Sequence, residues 1–271
     1  MKDSFKIEFF CPRWGTSDSW ADFCKRVKMA GYDGVESFIS FNQKEKDEAL
    51  AVLKHYDLKF IGQYFQSFES EIAENAKSYE RHIRHLITCN PLFINSQTGK
   101  DYFSFEQNKR LFDLAKCISE ETGVKIIHET HRGKSLFAAH ITQEYLTKIS
   151  DLRICLDISH WCNVHESLLE DQQESIDLAI AHADHIHSRI GHQEGPQVND
   201  PRATEWTEVL ETHLAWWDKV VETHKKNGTN LTITTEFGPA PYMPALPFTK
   251  MPLANQWEIN VYMMNLLKVR F

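Results

Sequence analysis

Four segments in the second half of the sequence end in side chains that commonly bind divalent metal ions. Glu129 and Asp157 each come at the end of an apolar run, and His187 and Glu236 follow in the same way further along the chain. Carboxylate oxygens and imidazole nitrogens are ligands that Mn²⁺, Mg²⁺, Co²⁺ and Zn²⁺ accept in proteins. The four residues therefore predict a site for one divalent ion with room for water or substrate. A structural zinc site would more often use cysteines and leave no open position.

The spacing within each segment predicts that these side chains point in a common direction. Side chains alternate between the two faces of a strand, so Glu129 shares a face with His131, and His187 shares one with Arg189. Carboxylates crowded in this way repel each other and lose hydration, and a divalent cation offsets that cost. Any one of these residues alone could instead cap a helix. The prediction of a metal site rests on their joint occurrence, with the same phase, on successive strands.

The elements that must position these residues are short β-like runs alternating with helical patterns. Helix signals include a capping box that begins with Ser104 and glycines such as Gly31 and Gly123 at helix ends. The predicted strands cover 6–10, 34–38, 59–65, 92–96, 124–129, 153–157, 185–189 and 231–236. The predicted helices cover 20–29, 44–55, 71–89, 105–121, 142–149, 168–181, 206–221 and 253–267.

This alternation, with no linker or shift in composition, predicts a single (β/α)8 TIM barrel domain over residues 1–271. A doubly wound open sheet is the alternative, but it would want a glycine-rich turn after the first strand, and residues 11–15 do not supply one. Long irregular stretches at 191–204 and 237–252 follow the last two strands. Loops after strands build the active face of a barrel, so these stretches are predicted to cover the site.

Composition narrows the class of protein. The formal net charge is −8 and the basic residues are scattered, so we expect no nucleic-acid partner. No apolar run approaches the roughly 18 residues that a membrane span needs, and residues 1–8 lack the apolar core of a secretory signal. Six cysteines without a Cys-x-x-Cys pair are typical of reduced thiols, which predicts a cytoplasmic protein. The oligomeric state stays open, a homo-oligomer included.

The segments that carry these residues resemble motifs of the xylose-isomerase-like TIM barrel superfamily. They read Glu-Thr-His-Arg-Gly at 129–133, Asp-Ile-Ser-His-Trp at 157–161, His-Ser-Arg at 187–189 and Thr-Glu-Phe-Gly at 235–238. The resemblance spans essentially the whole chain. It is specific for the fold and the metal ligands and weak for the substrate, because the superfamily includes sugar-phosphate isomerases and epimerases, inosose dehydratases and endonuclease IV.

The resemblance also implies roles for individual residues. His160, three residues after the strand aspartate, matches a histidine that contacts sugar hydroxyls in such enzymes, and His131 joins the same substrate-binding set. An arginine after the metal histidine binds substrate there, and both Arg189 and Arg202 are candidates because the spacing departs from the epimerase pattern. The implied metal ligands are Glu129, Asp157, His187 and Glu236.

The leading hypothesis is a metal-dependent isomerase or epimerase of a small sugar, polyol or hydroxy-carbonyl compound. Its Lewis-acid metal would favour an enediolate, with Glu129 and Glu236 removing and returning a proton. A metal-dependent dehydratase of an inosose or sugar acid is the alternative on the same residues. A non-catalytic sugar- or metal-binding barrel is the alternative from another class, and the paired glutamates disfavour it.

An endonuclease with three zinc ions is a weaker hypothesis. The third and fourth strands offer Gln63 and Gln97 where such enzymes would want further ligands. The loop after the metal histidine reads Asp200-Pro201-Arg202, with arginine in the histidine position. A small sugar-like molecule is therefore the expected substrate.

Overall fold

Eight short parallel strands pair in sequence order, and the last pairs with the first to close a barrel. The computed structural model describes residues 5–271. This closed barrel confirms the predicted (β/α)8 fold, while the prediction of one domain from residue 1 includes residues 1–4, which lie outside the described part of the chain. The strands are β1 Ile7–Pro12, β2 Gly34–Ser37, β3 Lys59–Tyr64, β4 Ile94–Ser96, β5 Ile126–Glu129, β6 Ile154–Leu156, β7 Ala183–His187 and β8 Leu231–Thr234.

Within residues 5–271 nine α-helices surround the barrel, one more than the sequence predicts. The extra helix, α6, follows β6 directly and has only seven residues, too few to show a helical period. The helices are α1 Trp20–Ala30, α2 Gln43–His55, α3 Ile72–Ile87, α4 Phe105–Thr122, α5 Ala139–Lys148, α6 Ser159–His165, α7 Gln173–His182, α8 Thr207–Asn227 and α9 Gln256–Arg270.

Local capping chemistry sets several of these boundaries. Ser104 and Gln107 form the predicted capping box at the start of α4, and Gly123 ends that helix with φ of 73°. Ser19 accepts a hydrogen bond from the backbone of Asp22 at the start of α1. Because such caps satisfy backbone groups that have no partner inside the helix, they could be recognised in the sequence.

The barrel interior has an apolar layer below its carboxyl end. Ile127 and Cys155 belong to this layer, and each lies two residues before a predicted metal ligand on the same strand or its extension. The layer therefore has the phase expected from side-chain alternation, and the residues two positions further along face the open end of the barrel. The buried members of the layer are Phe10, Ile61, Phe93, Ile127 and Cys155.

A second and larger core lies between the strands and the helices. Trp217 and Val220 of α8 and Met264 of α9 are fully buried in it, so the apolar faces of these two helices serve packing. None of the helices in the described chain has the length and apolar character needed to cross a membrane.

Candidate active site

The four predicted metal ligands converge at the carboxyl end of the barrel, and we call them the candidate metal site. Glu129 is the last residue of β5 and His187 the last of β7, while Asp157 and Glu236 lie just beyond β6 and β8. One ligand atom from each residue lies within 4.8 Å of the ligand atoms of the other three. All four side chains are buried. Enzymes with a TIM barrel fold have their active sites at the carboxyl end of the barrel.

One ring nitrogen of His187 faces the carboxylate of Glu36, and the other faces the carboxylates of the candidate metal site. Its Nε2 lies 3.1 Å from Glu36, a contact in which the ring donates to the carboxylate. Its Nδ1 lies 2.9 Å from Oε2 of Glu236 but has no hydrogen-bond partner. A carboxylate that fixes the outer nitrogen of a histidine is the usual support of a metal-binding imidazole.

Glu36 on β2 is a buried carboxylate that the sequence reasoning missed. It accepts hydrogen bonds from Asn95 Nδ2 at 2.9 Å, from His185 Nε2 at 3.2 Å and from the hydroxyl of Thr234. It lies beside His187 and thus adds a fourth carboxylate to this end of the barrel. A single glutamate in the short apolar strand Gly-Val-Glu-Ser was the signal that could have identified it.

Amide side chains from β3 and β4 hold the two glutamates. Gln63 Nε2 donates to Oε1 of Glu236 at 2.9 Å, and Gln97 Nε2 donates to Oε1 of Glu129 at 3.1 Å. Asn95 Nδ2 donates to the other oxygen of Glu129 at 3.0 Å. The glutamines at positions where an endonuclease would want ligands are therefore hydrogen-bond donors to the carboxylates.

The structure separates the two candidate arginines. Arg189 is buried, contacts Asp157, and places Nη1 3.4 Å from Oε2 of Glu236. Arg202 is exposed, where its guanidinium pairs with Asp200 at 2.6 Å. Arg202 does not line the cavity at this end of the barrel, and its contact with substrate stays a prediction.

The two candidate histidines differ in their access to the pocket. His131 lines the cavity at this end of the barrel and donates from Nδ1 to the carbonyl of Arg132 at 2.6 Å, which leaves Nε2 as an acceptor 3.4 Å from the hydroxyl of Tyr242. His160 is fully buried behind it, with ring centroids 3.9 Å apart, and its Nε2 accepts from Arg189 at 2.7 Å. His160 thus contacts Arg189 and does not line the cavity, and its contact with substrate hydroxyls stays a prediction.

The three carboxyl groups of the candidate metal site differ in the direction in which their surroundings shift the pKa. Burial raises the pKa of Glu129 to about 8, and burial also raises the pKa of Asp157 despite its contact with Arg189. Burial acts in the same direction on Glu236, but the charges of His187 and Arg189 outweigh it and lower that pKa below its usual value.

The residues present fit a divalent cation. Four buried carboxylates, including that of Glu36, outnumber the positive charges that Arg189 and a protonated His187 supply, and an excess of buried negative charge is costly without a cation. The unpartnered Nδ1 of His187 faces the three carboxylates of the candidate metal site. Three carboxylates and one imidazole suit Mn²⁺, Mg²⁺, Co²⁺ or Zn²⁺.

A cavity of about 480 Å³ opens above the candidate metal site, large enough for a small metabolite. Glu236, Gln63 and Arg189 form part of its polar wall, and Lys134 and Arg13 add two cations that the sequence reasoning did not assign. Tyr242 comes from the predicted covering loop at 237–252. The aromatic residues of the wall are Trp14, Phe38, Phe65, Phe68 and Tyr242.

No protein-family model matches the chain, and no curated protein matches its sequence. Solved structures do match it in fold. A xylose isomerase domain-containing protein from Salmonella typhimurium is 15% identical with a TM-score of 0.62, covering 97% of this chain and 96% of its own. A 3-keto-D-glucoside 4-epimerase from E. coli is 14% identical with a TM-score of 0.60, covering 97% of this chain and 100% of its own.

Other matching structures have different activities in their names. A probable 3-DHS dehydratase from Bacillus anthracis is 14% identical with a TM-score of 0.58 over 96% of this chain and 98% of its own. A family 2 AP endonuclease from Brucella melitensis is 10% identical with a TM-score of 0.58 over 87% of this chain and 93% of its own. At these identities the likeness extends to the fold and not to the activity. The chain therefore shares the TIM barrel fold of these structures.

Proposed function

We propose that this protein is a divalent-metal-dependent isomerase or epimerase of a small sugar, polyol or related hydroxy-carbonyl compound. One observation carries the proposal: Glu129 and Glu236 come from strands separated by β6 and β7, yet they reach one candidate metal site below a single cavity. Each carboxylate is held by its own amide donor, Gln97 for Glu129 and Gln63 for Glu236. Binding alone would not need two carboxylates oriented separately.

The chemistry assigns a proton-transfer role to these two glutamates. A cation held by Glu129, Asp157, His187 and Glu236 would supply Lewis acidity that makes a C–H beside a substrate carbonyl more acidic. One glutamate removes that proton, and the other delivers a proton to the opposite face of the same carbon, which epimerises it. Delivery to the former carbonyl carbon instead, with the proton of the neighbouring hydroxyl passing to the former carbonyl oxygen, isomerises the compound.

The rest of the pocket orients the substrate and limits access of water. Arg189 and the Nε2 acceptor of His131 present polar groups to a sugar hydroxyl or carbonyl. The aromatic wall presents rings such as Trp14 and Phe65, which suit the apolar face of a sugar. A pocket with a few oriented polar groups and a large apolar wall is typical of small-molecule sites.

Proton exchange tests the proposal directly. We expect the Mn²⁺-loaded protein, incubated in D₂O with a panel of ketoses, inososes and sugar acids, to introduce deuterium beside the carbonyl of at least one compound. NMR after removal of the metal detects the exchange, and Glu236→Gln serves as the control that should lose conversion. Failure of every compound to exchange, with one metal bound per chain, would overturn the proposal.

The same experiment distinguishes a dehydratase. A dehydratase for an inosose or sugar acid would use the same first proton transfer and then lose a β-hydroxyl as water. The 3-DHS dehydratase of the same fold motivates this second candidate. A product lighter by one water in the mass spectrum would identify it, while an isomer or epimer of unchanged mass would support the leading proposal.

We also propose a cytoplasmic location, supported by the cysteines. All six are free, and Cys117 alone among them is exposed. Buried reduced thiols are typical of a reducing compartment.

A further inference from the structure

Lys134 is a buried lysine on the wall of the cavity. It lies in the loop between β5 and α5, five residues after Glu129, and only 8% of it is exposed. Its Nζ donates to the hydroxyl of Ser67 and lies 3.5 Å from the carbonyl oxygen of Phe65. Both partners are neutral, so they accept hydrogen bonds from the ammonium group of Lys134 without balancing its positive charge.

The charges around Lys134 do not pair with it. Glu129, Asp101 and Glu69 act on its ammonium group from a distance, but within residues 5–271 no carboxylate oxygen lies within 4.0 Å of Nζ. Burial is the main effect, and together with nearby Lys100 it lowers the pKa of Lys134 to about 8. A buried ammonium without an ion pair is costly, which makes an anion from outside the chain a favourable partner.

Arg13 is a second cation on the wall of the same cavity. Its Nη2 donates to the backbone carbonyl of Asp18 at 2.9 Å, and its guanidinium lies over the ring of Trp20. The Nε of Arg13 is buried without a hydrogen-bond partner. The ion pair near this position joins Asp18 to Arg26 instead. Two cations without carboxylate partners thus line one cavity in the described chain.

We propose that the cavity takes a substrate with an anionic group, a carboxylate or a phosphate, and that Lys134 receives this group. The inference rests on the proposed function, since it places the anion in the same cavity as the reacting carbon. It narrows the substrate class to a sugar acid or a sugar phosphate. Arg13 strengthens the positive potential that attracts the anion.

A purely structural role explains less of what is observed. Lys134 connects the loop after β5 to the loop after β3 through Ser67 and Phe65. A glutamine or another neutral donor could make those contacts without the cost of burying a charge. An anion site explains both why Lys134 lies on the cavity wall and why it has no ion-pair partner in the described chain.

Three ligands with one common ring test the proposal. D-Glucose, D-glucuronate and D-glucose 6-phosphate differ in the group at one carbon, and NMR titration of the full chain with Mg²⁺ gives a Kd for each. We expect at least one anionic ligand to bind about tenfold or more tightly than glucose, as befits a hydrogen bond to a charged group. If D-glucuronate binds more tightly, the substrate is a sugar acid, and if D-glucose 6-phosphate binds more tightly, it is a sugar phosphate.

Variants of the chain test whether Lys134 causes the tighter binding of the anionic ligand. Lys134→Gln keeps a donor for Ser67 and should lose the preference, whereas Lys100→Met removes a nearby charge outside the cavity wall and should keep it. Equal thermal unfolding midpoints show that both variants are folded, and Lys134→Arg serves if Lys134→Gln unfolds, since it should retain the preference. In the parent, the preference should weaken as the pH rises through about 8, because the ammonium form is lost.

Repeating the titrations after dialysis against EDTA separates Lys134 from a bound cation. A preference that persists without metal supports the proposal. A preference that disappears with the metal, or that survives in Lys134→Gln, overturns it, as does equal binding of glucose and both anions. Anion preference without deuterium exchange would reject the proposed reaction alone, and exchange without anion preference would reject the anion site alone.

Discussion

The two halves of the barrel contribute different chemistry to the same site. The second half, β5 to β8 with the residues that follow each strand, supplies the charged groups Glu129, Asp157, His187, Arg189 and Glu236. The first half contributes mainly residues that hold these groups in place. They are Glu36 on β2, Gln63 on β3, Asn95 on β4 and Gln97 just beyond it.

Hydrogen bonds from the first half keep the buried charges of the second half in one arrangement. Carboxylates that repel each other would rotate apart, and each hydrogen bond from the opposite half fixes one oxygen. The side-chain amide of Asn95 donates to both Glu36 and Glu129, and thereby links a carboxylate of the first half to one of the second. The second half therefore carries the proposed reaction, and the first half sets its geometry.

The strongest test of the second half is removal of a ligand. Asp157→Asn keeps the shape but loses the charge, and we expect it to lose stoichiometric metal, because one fewer carboxylate faces the cation. Metal analysis after removal of loosely bound ions measures this. Asp184→Asn is the matched control, since Asp184 pairs with Arg153 and Lys125 at the start of β7 and should leave metal content unchanged. Full metal content in Asp157→Asn would contradict the assignment.

The proton-transfer roles predict the next largest effect. Glu129→Gln and Glu236→Gln, each saturated with Mn²⁺, should lose about 10²–10⁴-fold in turnover, the usual contribution of general acid–base catalysis. The two variants should also differ in which step of the reaction they lose. Loss of the base stops exchange of the substrate C–H with D₂O, whereas loss of its partner allows exchange but blocks the conversion. If both variants bind metal and turn over like the parent, the glutamates are ligands only, and His131 becomes the next candidate base.

A change in the first half should have a smaller effect on the same site. Glu36→Gln removes the charge that fixes Nε2 of His187, and we expect metal affinity to fall about 10–100-fold, as is usual when the partner of a metal-binding histidine is altered. Competition with a metal-sensitive dye measures the affinity. Glu8→Gln on β1 is the control, because Glu8 pairs with Lys6 and Lys59 instead. Unchanged affinity in Glu36→Gln would refute the supporting role of the first half.

The smallest effect is expected at an exposed residue of the second half. Arg202→Ala should change kcat/KM by less than about twofold, because its exposed pair with Asp200 does not reach the cavity. Arg189→Lys is the comparison, since a lysine cannot reproduce the contacts of the guanidinium with Asp157 and Glu236. Steady-state kinetics on the substrate found by deuterium exchange measures both. A larger loss in Arg202→Ala than in Arg189→Lys would reverse the assignment.

Much of the architecture could be predicted from local patterns. Caps such as Ser104 with Gln107 marked helix ends, and alternation along β5 predicted that Glu129 would face the barrel interior above Ile127. These features depend on residues close together in the chain, whose periodicity is set by backbone geometry. The seven-residue α6 was not predicted, because about two turns of helix are too short to show a periodic pattern. The burial of His160, which lies on this helix, was not predicted for the same reason.

The alternation of strands and helices and the phase of side chains along each strand are local properties, and they predicted the barrel and the four residues that face its carboxyl end; the metal stays a prediction. The sequence did not predict that Glu36 contacts His187, that Arg189 rather than Arg202 lines the cavity, or that Lys134 lacks an ion-pair partner in the described chain. Glu36 and His187 are 151 residues apart in the chain and meet because the barrel closes. Such contacts depend on distances between strands remote in sequence, and no local periodicity encodes them.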